Sequence, residues 1–176
     1  MTIEQLNRNQ ARERLPELEA LLHDAVSHGA SVGFLHPLDA RESKAYWGKV
    51  IDELETTRVF LAAIDERSRL IGAAQLALES RPNGRHRAEV QKLLVLSSGR
   101  RQGIGAALMR EIEAEAVRRG RTLLFLDTST GKGGATEFYL RLGYALAGGI
   151  PDYAADPDGT LAANAIFYKR LSKSSV

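Results

Sequence analysis

No cysteine occurs among the 176 residues, so disulfides, thiolate nucleophiles and Cys-based zinc or iron–sulfur sites are all excluded. Long apolar runs are missing too. The longest, Val59 to Ile64, falls far short of the roughly 18 residues that span a bilayer, and no membrane partner is expected. The charged start MTIEQLNRNQARER lacks the apolar centre of a signal peptide, which points to the cytoplasm. A strong charge of one sign is lacking as well. The formal net charge is +2, and 44% hydrophobic with 26% charged residues is ordinary globular usage, which excludes disordered, collagen-like and coiled-coil classes. The four histidines, His23, His28, His36 and His86, have no spacing suited to a shared metal, so no metal is expected.

What is present fills one domain, 1–176, because a domain takes about 150 residues. Charge is unevenly spread along it. Residues 1–80 carry nine Lys/Arg against thirteen Asp/Glu, and residues 81–176 carry fifteen against nine. An anion therefore belongs to the second half. That modest excess suits a small polyanion better than a nucleic acid, which needs its basic groups clustered on one face or tail.

Leu18, Leu21, Leu22 and Val26 recur at helical spacing between Pro16 and His28, with Gly29 as a stop. Asp39 is placed to cap a second helix running to about Thr56, whose buried side would draw on Ala45, Trp47, Val50, Ile51 and Leu54. Val59–Asp65 and Leu70–Glu79 read as strands joined by the turn ERSR. Arg81-Pro-Asn-Gly-Arg85 reads as a second turn, in which Pro sets φ and Gly tolerates positive φ. Ala88–Leu96 turns continuously apolar in LLVL, which marks a central strand covered on both faces. A helix from about Gly103 to Arg119 and a strand Leu123–Leu126 ending at Asp127 complete a right-handed parallel crossover. A short helix Gly134–Leu142, a strand Tyr144–Ala147, the turn-rich PDYAADPDGT and a last strand Ala163–Leu171 follow. The fold class is α+β, an α/β sandwich whose mostly antiparallel sheet has one parallel insertion.

Between the central strand and the helix stands Arg100-Arg-Gln-Gly-Ile-Gly105. A helix N-terminus offers unpaired N–H groups and about half a positive charge, and glycines let phosphates approach the backbone closely. Here the N–H groups are those of Ile104, Gly105 and Ala106, while Arg100, Arg101 and Gln102 add side-chain donors. No Ser, Thr, Asp or Asn stands immediately before Gly103, although Ser97 and Ser98 are near enough for a looser cap. A plain strand-to-helix turn relieved of crowding by glycine is the alternative. A Rossmann fingerprint would need glycine where Leu108 stands, though Asp127 fits a ribose contact, and the G-K-[ST] of a Walker loop is absent.

Arg100, Gly103 and Gly105 match [RQ]-x-x-G-x-[GA], and with the preceding VQKLLVLSSG and the later FYLRLGY they resemble the GNAT superfamily of acyl-CoA-dependent N-acetyltransferases. More narrowly, GASVGF, RPNG with RAEVQKL, LDT, FY and YAADPDG resemble the acetyltransferases that confer tabtoxin resistance. The resemblance implies a strongly twisted mixed sheet, flanked by helices, whose fourth and fifth strands splay to admit pantetheine. The backbone of Leu94, Val95 and Leu96 is then expected to bond the pantetheine amides as an added strand would. Arg100 and Arg101 are expected to meet the phosphates of acetyl-CoA, with Lys132 and Arg141 as further candidates. A homodimer is in keeping with the family's small domains.

Acetyl transfer to an amine needs an uncharged nitrogen, stabilisation of an oxyanion and a proton for the leaving thiolate. Glu89 lies on the strand that leads to the glycine loop and Asp127 ends its parallel neighbour, so both carboxylates can face one cleft. The narrower resemblance implies this pair as acid/base residues. Otherwise Glu89 is a surface charge paired with Arg87 or Lys92, and Asp127 caps a turn with Thr128. The resemblance places Tyr139 near the CoA sulfur, while His36, Trp47 and Tyr153 are candidates for the acceptor pocket. The function expected is acetyl transfer from acetyl-CoA to a small-molecule amine, possible toxins or antibiotics included. A protein acceptor, a non-catalytic acyl-CoA sensor and a dinucleotide-binding module are the alternatives.

Overall fold

A computed structural model of the chain describes residues 1–131 and 135–172. Seven strands form one sheet: β1 (Thr2–Gln5), β2 (Arg58–Ile64), β3 (Leu70–Leu78), β4 (Arg87–Val95), β5 (Leu123–Ser129), β9 (Asn164–Arg170) and β6 (Ala145–Gly148), in that spatial order. Every neighbouring pair is antiparallel except β4 and β5. The fourth place in the row goes to β4, in agreement with its apolar LLVL. A separate two-stranded hairpin, β7 (Ala154–Ala155) and β8 (Leu161–Ala162), is made within the turn-rich segment.

Helices cover both faces, which is why β2 is apolar without alternation. Phe60, Ala62 and Ile64 pack towards α1 (Arg8–Glu13), α2 (Leu15–Ser27) and α3 (Ala40–Glu53), while Val59, Leu61 and Ala63 pack towards α4 (Ile104–Arg118) and α5 (Thr136–Arg141). The stripe Ile104, Leu108, Ile112 and Ala116 is buried as its spacing predicts, and α3 starts at Asp39, whose carboxylate accepts the N–H groups of Arg41 and Glu42. Truncating Leu108 or Ile112 to alanine should cost about 2–5 kcal/mol. Ala45 is exposed, whereas Ser43 and Tyr46 lie on the covered side of α3. Among the described residues no helix is long and apolar enough to cross a membrane.

Besides the β7–β8 hairpin, two elements at the start of the chain were not expected. The charged start forms β1, an edge strand with no buried residue, and α1, whose Asn7 and Gln10 side chains cap it reciprocally. Neither has an apolar period to announce it. The short helix expected from Gly134 begins at Thr136, after Ala135 at its N-cap, and Lys132 and Gly134 lie outside the described residues. Gly84 departs from its expected role: its φ is not positive, and a Cβ there would meet Glu79 Cγ at 2.5 Å. The turn requires absence of bulk at that position.

Around the same turn the Glu79 carboxylate accepts the Arg81 N–H at 2.9 Å and Arg87 Nη2 at 3.0 Å. These donors hold its carboxyl at about 2, well below the ordinary value. The stabilisation is therefore complete above the ordinary carboxylate range and disappears as pH falls from there towards 2. Thermal melts between pH 7 and pH 2 should show a shallower acid loss in Glu79→Gln than in the parent, because the variant has no such contribution to lose.

Candidate active site

β4 and β5 are paired only at Arg87–Leu123, Ala88–Leu124 and Glu89–Phe125. Beyond these positions β5 follows β9 through to Ser129, while β4 follows β3 to Val95, and the strands part. Between them lies a cleft of about 400 Å³. Its walls include Glu89, Gln91, Lys92 and Leu93 from β4, Asp127, Thr128 and Ser129 from β5, and Tyr139 from α5. Residues 30–33, from the segment linking α2 to α3, line one side, and Tyr153, Ala154 and Ala162 of the hairpin region line another. The Pro157 carbonyl, in the same hairpin, accepts the His36 N–H at 2.9 Å, so these two walls are tied together.

A bulge shapes β4 within the cleft. Lys92 and Leu93 lie opposite Ala74 alone, and Lys92 takes φ +48°, a left-handed conformation that costs a non-glycine residue free energy. The extra residue interrupts strand alternation. Gln91 and Lys92 consequently both face α3, where Gln91 meets Arg58 and the Lys92 ammonium lies 5.9 Å and 5.6 Å from the ring centres of Phe34 and Tyr46. Lys92 forms no ion pair or hydrogen bond among the described residues. Burial lowers its pKa below the ordinary lysine value and the Arg58 charge lowers it further, opposed by Asp127 and Glu89. Glu89 accepts Gln91 Nε2 on Oε2 at 2.7 Å, and its other oxygen has no partner among the described residues. Neither Arg87, which pairs with Glu79, nor Lys92 neutralises it.

The Tyr139 ring is buried against Phe138, Tyr144 and Phe167, with centroids 5.1–5.9 Å away. Burial pushes its hydroxyl above the usual tyrosine range, and the Asp127 charge adds to the shift. At neutral pH this hydroxyl keeps its proton.

At the end of β4 the chain turns through Arg101 (φ +63°) and Gly103 (φ +81°) into α4. No side chain among the described residues caps that helix. The first N–H of the turn to be bonded is that of Ala107, to the Gly103 carbonyl, so the amides of Ile104, Gly105 and Ala106 stay available to a ligand. Ser97, the possible looser cap, is used elsewhere: its N–H and hydroxyl both donate to the Asp24 carboxylate of α2 at 2.7 Å. Arg100 and Arg101 are exposed and have no ion-pair partner among the described residues. A strand that parts from its neighbour and leads to an uncapped, guanidinium-flanked helix start is an arrangement for an extended ligand ending in phosphates.

Residues 17–144 match the acetyltransferase (GNAT) family. The chain belongs to the GNAT family. Over 75 residues it is 37% identical to N-acetyltransferase 8F1 of Rattus norvegicus, a stretch covering 43% of this chain and 34% of the rat protein. The chain thus matches about a third of that relative's length. The fold is shared with a ribosomal-protein-alanine N-acetyltransferase from Brucella melitensis, with TM-score 0.79, 22% identity and coverage of 97% of this chain and 100% of that one. It is also shared with an aminoglycoside 6'-N-acetyltransferase complexed with coenzyme A, with TM-score 0.75, 20% identity and 98% of each chain covered. A third such structure is yncA of Salmonella typhimurium with its cofactor acetyl-CoA, with TM-score 0.78, 16% identity and coverage of 100% and 96%. At these identities the structures speak for the GNAT fold alone.

The cleft brings Glu89, Asp127, Tyr139 and Tyr153 together. Other expectations need correction. Trp47 is fully buried, in edge contact with Tyr46 at 5.0 Å and Phe60 at 5.8 Å, and belongs to the core. His36 is exposed beside the hairpin and does not line the cleft. Leu96 has no free backbone polar atom for pantetheine, because its N–H donates to Ile71 and its carbonyl accepts from Gly99. Strand alternation turns Leu94 the same way, towards β3, which leaves Val95 and the unanticipated Leu93 facing the opening. The Gln102 side chain donates to the Ser98 carbonyl at 3.1 Å, so it braces the loop. Arg141 is exposed in the last turn of α5 and is not part of the lining. Lys92 was missed because an alternating strand puts it on the opposite face from Glu89; Gln91 is on the same face by alternation, and its position two residues after Glu89 was the signal that could have found it.

The lysine side-chain resonances of the protein provide a check on this electrostatic reading. The Lys92 ¹³Cε signal, assigned by its loss in Lys92→Met, should titrate below those of the exposed lysines. Asp127→Asn should lower it further by removing an attractive charge.

Proposed function

We propose that this GNAT enzyme moves an acetyl group from acetyl-CoA to the amine of a small molecule, using Glu89 as base, Asp127 as its partner and Tyr139 at the leaving sulfur. The observation that supports this most strongly is the parting of β4 and β5 immediately beyond Glu89, which opens a cleft containing all three side chains. The amides of Ile104, Gly105 and Ala106, with Arg100 and Arg101, would hold the diphosphate, and the backbone of Leu93 and Val95 would meet the pantetheine amides. Bound there, acetyl-CoA supplies an activated acyl group. Glu89 takes the proton that an ammonium must lose before its nitrogen can attack, directly or through a water. Asp127 adds negative potential that draws the cation in and orients it. A tyrosine is a weaker acid than a thiol, and burial widens the gap for Tyr139, so its hydroxyl stabilises the departing thiolate as a hydrogen-bond donor without giving up its proton.

The acceptor we propose is a small zwitterion, an amino-acid type of amine such as a β-lactam toxin of the tabtoxin kind. Two carboxylates suit its ammonium, and the unpaired Lys92 suits an anionic group at the other end. The bond between His36 and Pro157 ties the segment before α3 to the hairpin, and a cleft of about 400 Å³ between such linked walls favours a small molecule over a protein.

Free α-amino acids, aliphatic diamines, kanamycin and a short peptide should be offered in turn, with thiol release from acetyl-CoA as the readout. Amino-acid acceptors should turn over fastest, and Lys92→Met should raise their KM while leaving that of the diamines unchanged. Preference for the peptide would reverse the choice of acceptor. Glu89→Gln should lower kcat roughly 10²- to 10⁴-fold, the range for a general base. Tyr139→Phe should keep acetyl-CoA affinity and lose kcat, and unchanged turnover would mean that the thiolate leaves unaided. Acetyl-CoA, and not NAD, should raise the melting temperature. Stabilisation by acetyl-CoA without thiol release for any amine would instead mark a sensor.

A further inference from the structure

Beside Glu89 runs a chain of polar groups, from α3 and the sheet to Gln91 in the cleft wall, that acetyl transfer does not by itself require. Arg58 on β2 is 14% exposed, and Gln75 on β3 is fully buried among apolar strand neighbours. Arg58 Nη1 donates to Oε1 of Gln75 and to Oε1 of Gln91, each at 2.7 Å, and Nε and Nη2 donate to Glu53 of α3 at 2.9 Å and 2.7 Å. Gln75 Nε2 donates to the Tyr46 hydroxyl at 2.8 Å, which completes a bracket between α3 and the sheet. Buried polar groups carry a desolvation cost that aliphatic side chains would avoid, so a continuous series of them calls for a reason.

The reason lies at its end. Arginine has donors only, so the Gln91 oxygen must face Arg58 and the Gln91 amide nitrogen must face Glu89. The rotation of that amide is therefore settled by chemistry, and it presents a donor to Oε2 of Glu89 at 2.7 Å. A donor aimed at that oxygen restrains the rotation of the carboxylate, while the other oxygen is left free to receive a proton. The charge of Arg58 polarises the Gln91 amide and strengthens its donation. We propose that Arg58 and Gln91 are positioning residues that hold the Glu89 carboxylate aimed into the cleft, with Glu53 as the anchor. This rests on Glu89 being the base.

Removal of the donor leaves the Glu89 carboxylate free to rotate out of its aim. The other groups facing this region, Lys92 on β4, Asp127 on β5, Arg58 and Glu53, and the neutral Tyr46, stay in place when Gln91 alone is changed. Gln91→Leu is therefore the informative variant, and Arg58→Lys, which keeps the charge but not the fork, is the milder companion should loss of Arg58 unfold the protein.

The test is a double-mutant cycle with the fastest acceptor of the amine panel, with kcat and KM read separately. Gln91→Leu should lower kcat roughly 10- to 100-fold, as expected for loss of a hydrogen bond to a charged group. It should leave the KM for acetyl-CoA unchanged. In a Glu89→Gln background the same substitution should have no further effect. A raised KM with kcat unchanged, or equal losses in both backgrounds, would show a merely structural role and overturn the proposal. Full activity of Glu89→Gln on its own would instead remove Glu89 as the base and the positioning scheme with it.

Discussion

The parting of two parallel strands after three paired residues is the constraint on which the rest of this structure depends. A sheet that stayed closed would satisfy its own backbone and leave no cleft. Because β4 continues along β3 while β5 continues along β9, Leu93 and Val95 keep polar atoms that face an opening. The carboxylates of Glu89 and Asp127, one on each of the two strands, come to face the same space. Such a split is tolerable only if each strand keeps its outer partner, and β3 and β9 supply that along both lengths. Tyr139 of α5 lines the same cleft, and α4 begins where β4 ends.

A second constraint acts at the helix start. The loop needs two left-handed residues and leaves three amides unbonded, an arrangement with no internal compensation. Its position is held from outside, through Asp24 on α2, which receives both the N–H and the hydroxyl of Ser97. The loop is thus braced by an element from the opposite face of the sheet, and its free donors can be oriented before any ligand arrives. Preorganisation of this kind reduces the ordering cost of binding a flexible cofactor.

Much of this could be read from the residues, and the failures have physical causes. Amphipathic periods announce α2 and α4, apolar LLVL announces a central strand, and the spaced glycine and FYLRLGY elements identify the family. The edge strand β1 has no buried face and so no pattern. Trp47 was drawn into the acceptor pocket by its residue type, whereas its position on the buried stripe of α3 already pointed to the core. Lys92 was hidden by the bulge, since a left-handed lysine has no mark in the sequence and alternation assigns it to the wrong face, whereas Gln91 shares the face of Glu89 by simple alternation. Arg58 looks like an ordinary polar strand start; only the register of β2, β3 and β4 brings it to Gln75 and Gln91.

The central claim is that the opening between β4 and β5, with the uncapped start of α4 at one end, is where the acyl donor is held. A crystal structure with coenzyme A tests it most directly. The account predicts the diphosphate against the amides of residues 104–106, the pantetheine along β4 between the parted strands, and the sulfur beside Tyr139 within reach of Glu89. A diphosphate bound away from α4, or a pantetheine lying outside the parted strands, would contradict it.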